Sequence, residues 1–264
     1  MGNNLKLPIL VYHRIISNEI SIKDIPAVIR PYCLPGGRFA EHLDYLLNRG
    51  CKGISVSEVF GQKEFRVVGI TFDDGWESDY IKAFPELEKR GFRATFYIVT
   101  GYVGRKNYMD WVQIKELKRK GMEIGSHSVT HPCLLDLDKD TILQEITQSK
   151  QVLEDHLGEP VESFGVPYAF VNRRIIETAL KVGYETVCIS NTWLADTAAV
   201  PKIYGRYGMR RGDSIETFKG IVERRPFELF KIAIKEEGKK CLKRLMGRQV
   251  WLAFREKLLS RRNS

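Results

Sequence analysis

The chain has no pair of cysteines at CxxC spacing, and its five cysteines (Cys33, Cys51, Cys133, Cys188 and Cys241) are odd in number. A disulfide framework and a zinc–thiolate centre are both set aside, and reduced thiols in a reducing compartment are the simpler reading. Long apolar runs are missing too, since none approaches the roughly 20 residues that cross a bilayer. The first short run, Leu7 to Tyr12, cannot serve as the core of a secretion leader, and no small-residue cleavage site follows it. Lys6 stands where a myristoylation signal needs Ser or Thr. The expected location is therefore the cytoplasm. No internal repeat or low-complexity stretch occurs, and 43% hydrophobic with 28% charged residues is an ordinary globular balance.

Charge is present but unevenly spread. Of the net +9, the segment Phe227–Ser264 carries +7, from eleven Lys/Arg against four Glu, and the preceding 226 residues carry only +2. Apolar residues recur in this tail near helical spacing (Leu242, Leu245, Met246, Trp251, Leu252, Phe254, Leu258, Leu259), with basic residues filling most of the gaps. One or two amphipathic helices, interrupted near Gly247, are expected. Such a helix either packs on the main domain with a solvated basic face or lies on an anionic membrane surface. Nucleic acid is not expected as a partner, because no recognised binding module accompanies the charge.

Ahead of the tail, short apolar segments alternate with helical patterns. Candidate strands are Pro8–Tyr12, Arg66–Phe72, Ala94–Val99, Met122–Ser126, Ser163–Val166, Glu185–Ile189 and, more weakly, Lys202–Tyr207. Candidate helices are Arg38–Arg49, Ser78–Arg90, Trp111–Lys120, Asp138–Leu157 and Arg173–Val182. Each is followed by a glycine (Gly50, Gly91, Gly121, Gly158, Gly183), where a helix end needs a left-handed residue. The repeated helix–Gly–strand cadence predicts βα units on a parallel sheet, and about seven units favour a barrel over an open sheet. Residues 1–215 are read as the barrel and 216–264 as a basic helical extension.

In such folds chemistry sits at the carboxyl ends of strands. Two strand ends carry it here. Asp73-Asp74-Gly75 follows Phe72, and adjacent carboxylates repel unless a cation or a proton separates their roles. His127 and His131 follow Ser126, four residues apart, in a chain with only five histidines. Aspartate plus two histidines makes three ligands and leaves an open position, a catalytic rather than a structural metal pattern. A cation so held acidifies water and polarises an acyl oxygen, and the spare aspartate is placed to act as base.

Thr71-Phe72-Asp73-Asp74-Gly75 and His127-Ser128-Val129-Thr130-His131 resemble the first two motifs of the NodB-type polysaccharide deacetylases, carbohydrate esterase family 4. Pro8-Ile9-Leu10-Val11-Tyr12-His13-Arg14-Ile15 is similar to the first strand of many members, and Phe164-Gly165-Val166-Pro167-Tyr168 resembles the third motif. The likeness runs from about Leu7 to Arg210. It implies a distorted (β/α)7 barrel, a metal held by Asp74, His127 and His131, Asp73 as base, and the backbone N–H of Tyr168 as an oxyanion donor. The metal implied is divalent, zinc first, with cobalt, nickel or manganese as alternatives. The substrate implied is an N-acylated, usually N-acetylated, amino sugar in a polysaccharide or lipid-linked glycan.

The chain departs from the family pattern in three places. The third motif lacks its leading arginine and ends on Ala169 rather than glycine, and no histidine follows His156 to act as the late general acid. Arg206, in Tyr204-Gly205-Arg206-Tyr207, either braces the site or binds a substrate anion. His13 faces the barrel mouth or is a core histidine, while His42 and His156 fall on helix patterns and are expected to be exposed. Trp76, Tyr102, Trp111 and Trp193 flank strand ends, with Trp76 the candidate wall of the site. Pro167 and Tyr168 join Trp76 and Arg206 as candidate substrate contacts. Two other functions compete: an amidase or deformylase acting on a non-polymeric substrate, and a sugar- or membrane-binding protein that has lost turnover.

Overall fold

The computed structural model describes residues 5–17, 19–168 and 170–246, without the side chains of 24 and 239–246. The break near Gly247, the apolar and basic tail side chains from 239 on, and Ala169 lie outside the described residues.

The chain opens with β1 (Lys6–Leu7), β2 (Ile9–Tyr12), β3 (Arg14–Ile16), β4 (Cys33–Pro35), α1 (Gly36–Asn48), β5 (Lys52–Ile54) and β6 (Val67–Phe72). There follow α2 (Phe84–Lys89), β7 (Thr95–Ile98), α3 (Trp111–Arg119), β8 (Glu123–Ser126), α4 (Lys139–Leu157), β9 (Ser163–Gly165), α5 (Arg173–Lys181) and β10 (Thr186–Ile189). The last elements are β11 (Ala195–Asp196), β12 (Lys202–Gly205), β13 (Tyr207–Gly208), α6 (Ile215–Val222) and α7 (Pro226–Met246).

The main sheet runs in the order β12-β10-β9-β8-β7-β6-β2-β13, and every pairing in it is parallel. Its two ends, β12 and β13, are one stretch of chain with only Arg206 between them. The sheet therefore closes on itself, and Arg206 is the seam. Seven parallel strand positions make the barrel. The irregularity is β5, which pairs with the first half of β6 while β7 pairs with its last two residues. β5 was not anticipated, because Lys52-Gly53-Ile54 is too short and too mixed to show a period. Two small sheets, β1 with β11 and β3 with β4, were likewise missed.

Strands covered on both faces read as unbroken apolar runs. Val67–Phe72 is buried at all six positions. Outside the sheet, residues such as Leu43, Leu46, Leu87, Ile114, Leu117, Ile146 and Leu153 pack the helices onto it in one cluster. All five glycines after the anticipated helices have positive φ, from 64° to 95°. The helix expected over Ser78–Arg90 contains a π-turn, Asp79–Ala83, before α2. Pro85 has no N–H to donate four residues back, so the ladder is broken there and Phe84 bonds to Asp79 five residues back.

The helix that straddles residue 215, α6, sends Phe218, Ile221 and Val222 into the main core. Phe218 stacks on His42 with ring centroids 4.0 Å apart. His42 is accordingly buried, not exposed: its Nδ1 pairs with the Tyr12 hydroxyl at 3.1 Å. The Phe218 ring and the Tyr12 hydroxyl hold this histidine in the core, with Nδ1 paired and Nε2 buried without a hydrogen-bond partner, which helical periodicity alone does not reveal. His156 is exposed as expected and stacks on Trp111. Among the described residues, no helix is long and apolar enough to cross a membrane.

Candidate metal centre and its surroundings

Asp73 and Asp74 leave the end of β6, and His127 leaves β8, two strands on around the barrel. One donor atom from each of Asp74, His127 and His131 lies within 4.8 Å of the other two. Asp74 Oδ1 is 3.6 Å from His127 Nε2 and 3.3 Å from His131 Nε2. The other oxygen of Asp74 accepts a hydrogen bond from the Trp76 indole N–H at 3.1 Å. His127 Nδ1 is bound to the Gly165 carbonyl at 2.7 Å, which makes Nδ1 the protonated nitrogen and leaves Nε2 free as a donor. A Cβ at Gly165 would stand 3.1 Å from that Nδ1 and 2.9 Å from the Tyr97 ring, so only glycine admits this approach.

The loop 127–131 is fixed from beneath. Glu145 of α4 accepts from the backbone N–H groups of Val129 and Thr130, at 2.9 and 3.0 Å, and from the Thr130 hydroxyl at 2.7 Å. The His131 N–H donates to Ser128 Oγ. Nothing in the spacing of Glu145 marked it, since a glutamate on a helix normally faces water.

Of six non-glycine residues at positive φ among the described residues, four are here: Asp74, Ser128, His131 and Tyr168. Left-handed backbone at non-glycine residues is costly, and its concentration at one place marks a functional site.

Asp73 keeps different company. Both of its oxygens are held by the Arg206 guanidinium, Nη1 to Oδ1 at 2.6 Å and Nη2 to Oδ2 at 2.9 Å. Nη1 also donates to Thr71 Oγ1, and the guanidinium lies 5.0 Å from the centroid of Tyr97. Arg206 is 1% exposed. The two readings of this arginine are thus decided in favour of bracing, and the substrate contact is withdrawn: a fully buried guanidinium that meets a carboxylate bidentately has no face for a ligand. The structure also explains the third-motif departure, because the arginine absent there is supplied by the seam of the barrel. Burial pushes the Asp73 carboxyl up, but Arg206 and His127 outweigh it and hold it at about 2. Burial raises Asp74, depresses His131 and takes His127 down to about 3. Neutral imidazoles are the state in which histidine binds a metal.

His13, at the carboxyl end of β2, belongs to this site. Its imidazole is depressed by burial and feels Asp74 and then Asp73 in the opposite sense. Its Nδ1 is buried without a hydrogen-bond partner, and its ring sits 4.8 Å from Tyr32. An aromatic rim surrounds the cluster. Trp76 stacks on Tyr108 at 4.6 Å, Tyr102 lies 4.8 Å from Tyr108, and Tyr168 is 4.7 Å from His131. Tyr168 is 48% exposed, so its ring is open to a ligand. Pro167 is buried and directly precedes Tyr168 in the chain. Trp111 is occupied by His156, and Trp193 lies over Gly205 beside the seam. Tyr32 and Tyr108 were not anticipated, since lone tyrosines in loops carry no periodic signal.

With this geometry in view, the comparisons with known proteins fall into place. Residues 60–187 match the family model described as polysaccharide deacetylase. The Bacillus subtilis protein YxkH is 28% identical over 186 residues, which are 68% of this chain and 63% of that protein, so this chain spans less than two thirds of it. Poly-beta-1,6-N-acetyl-D-glucosamine N-deacetylase of Staphylococcus aureus is 26% identical over 245 residues, covering 81% of each chain. Among solved structures, the Streptococcus pyogenes deacetylase PplD in complex with acetate superposes with a TM-score of 0.75 at 25% identity, over 83% of this chain and 99% of that one.

Proposed function

We propose that this chain is a NodB-type member of the polysaccharide deacetylase family and hydrolyses the N-acetyl group of an amino sugar within a glycan, using a divalent cation. The observation that carries this reading is the division of labour between neighbours: one oxygen of Asp74 lies 3.6 and 3.3 Å from the two imidazoles, while Asp73, 3.9 Å from His127, has both oxygens bonded to Arg206.

Asp74, His127 and His131 are the residues that would hold the cation. One carboxylate and two imidazoles suit a first-row divalent ion, zinc first, with cobalt, nickel and manganese sharing the preference. When bound, the ion polarises the acyl oxygen and renders a neighbouring water acidic enough for a weak base to deprotonate. Asp73 is that base. The bidentate clamp of Arg206 fixes its oxygens in one orientation, so that what it lacks in basicity is offset by positioning. The water oxygen forms a bond to the acyl carbon while its proton passes to Asp73. The Val166 N–H is taken by the Cys188 carbonyl and Pro167 offers none, so the next donor after β9 is the N–H of Tyr168, which stabilises the negative charge that develops on the acyl oxygen. The C–N bond then breaks, and the leaving nitrogen needs a proton. The proton that Asp73 took from water is the one available, and His13, an imidazole that feels both carboxylates but stands outside the ligand trio, is the residue placed to relay it to that nitrogen. The products are acetate and a free amino sugar.

The rim formed by Trp76, Tyr108, Tyr102 and Tyr168 suits pyranose rings, which lay their apolar faces on aromatic ones. The S. aureus relative acts, by its name, on poly-beta-1,6-N-acetyl-D-glucosamine, and β-linked N-acetylglucosamine is our reading of the substrate. Acetate release from N-acetylglucosamine oligomers, including β-1,6-linked ones, tests the proposal with zinc- or cobalt-loaded protein. Turnover is expected for the wild type, with strong loss in Asp73→Asn and His13→Asn. Acetate release from none of the N-acetylated glycans, or equal rates in Asp73→Asn and wild type, overturns it.

A further inference from the structure

The proposed chemistry makes no use of α7. Its inner side is accounted for: Leu229 and Ile232 pack on the main core, Glu236 pairs with Arg210 at 3.2 Å, and Lys235 approaches Asp213 at 3.9 Å. Arg210 and Asp213 follow β13 at the carboxyl end of the strands, so the helix is tied to the end of the barrel that carries Asp73 and the two histidines.

The outer side is different. Phe227, Phe230 and Ile234 are 66%, 62% and 56% exposed. Their spacing of three and then four residues stacks them into one stripe along the helix. Scattered single apolar residues on a surface need no explanation, but three large ones aligned on one helix face form a patch. Exposed Lys231 stands beside it, 2.9 Å from Glu228 and with its ammonium 4.2 Å over the Phe227 ring, and exposed Lys235 stands at its edge on the side of Asp213. From Phe227 to the end of the chain the sequence carries +7.

We propose that this face of α7 docks the protein on an anionic phospholipid surface. Phe227, Phe230 and Ile234 enter the boundary between headgroups and acyl chains, and the net positive charge of the sequence from Phe227 onward supplies the attraction to the headgroup phosphates. The charge favours this occupant over a second copy of the chain, because each copy carries +7 in its sequence from Phe227 onward and like charges repel. Docking would hold the barrel mouth near the lipid, where a glycan attached to the membrane is presented. The inference does not depend on the hydrolytic chemistry, and its test reads no activity.

Full-length protein is spun down with vesicles of phosphatidylcholine alone and of phosphatidylcholine with about one third phosphatidylglycerol. Binding to the anionic vesicles is expected to exceed binding to the neutral ones by about tenfold or more and to weaken steeply with salt. Phe227→Ser with Phe230→Ser should reduce binding about tenfold, and Lys231→Gln with Lys235→Gln by several-fold. Both pairs are exposed, so circular dichroism and melting should match the wild type. Equal sedimentation with the two vesicle types overturns the proposal, as does undiminished binding by the folded Phe227→Ser/Phe230→Ser protein. A wild-type dimer in light scattering that this double substitution makes monomeric would assign the face to a second copy and also overturn it.

Discussion

Asp73 and Asp74 are neighbours in the chain, yet one is bonded to a guanidinium and the other to an indole. That difference gives each substitution its own signature. Asp73→Asn keeps the ligand trio, so metal content should stay at the wild-type level while kcat falls about 10²- to 10⁴-fold, the usual worth of a positioned base. Metal analysis alongside steady-state kinetics checks it, and loss of metal in this variant would contradict the assignment. Arg206→Met leaves a buried carboxylate unpaired and should cost about 3–5 kcal/mol in urea unfolding. Adding Asp73→Asn removes the orphaned charge, so the double variant should be more stable than Arg206→Met alone.

At this scale the sequence was legible where residue type and spacing carry the chemistry. Asp73, Asp74, His127 and His131 stood out because adjacent carboxylates and paired histidines at strand ends are expensive without a purpose. Arg206 and His13 could be named from sequence but not assigned. Their roles rest on which strands meet across the barrel, and Arg206 contacts a residue 133 positions away. Glu145, Tyr32 and Tyr108 gave no sign at all, since each acts through a fold-dependent contact.

Among the elements, α4 matters most for the site, because Glu145 ties the ligand loop to it by three hydrogen bonds. Glu145→Ala releases that loop and should weaken metal affinity about 10- to 100-fold, as losses next to a ligand shell do. Competition with a chelator measures this, and unchanged affinity would reduce Glu145 to a helix-surface residue. A second element effect lies in α1. Burial lowers the His42 imidazole from 6.5 to about 4, so the unfolded chain takes up its proton first as pH falls. The stability this neutral histidine supports is complete above 6.5 and is lost progressively down to about 4, by up to about 3 kcal/mol at 1.36 kcal/mol per unit. Urea unfolding at pH 7 and pH 5 should show the loss, and His42→Gln should flatten that acid limb.

Taken as a whole molecule, the barrel was readable from its punctuation. Seven candidate strands reappear as β2, β6, β7, β8, β9, β10 and the β12–β13 stretch, and the helix-terminating glycines adopt the left-handed backbone expected of them. The number of units favoured closure, but where the barrel closes was not readable, because it depends on β13 pairing with β2 across almost two hundred residues. A cation bound by Asp74, His127 and His131 would engage the folded chain alone, since the unfolded chain has no such trio. Saturating zinc at about 100-fold over its dissociation constant should add about 2.7 kcal/mol, and chelation should lower the melting temperature accordingly. Calorimetry with and without chelator checks this, and an unchanged melt would mean that these three side chains do not bind the ion.

The strand that completes the hoop is interrupted at a single position, and the side chain there is the one that steadies Asp73. The clasp of the barrel and the alignment of its base are therefore one object. Any fluctuation that parts β13 from β2 also frees Asp73 to turn, so the enzyme should fall silent before it comes apart. Amide exchange at Met209, whose N–H donates to the Val11 carbonyl, should keep time with the fading of turnover on warming, ahead of the global melt.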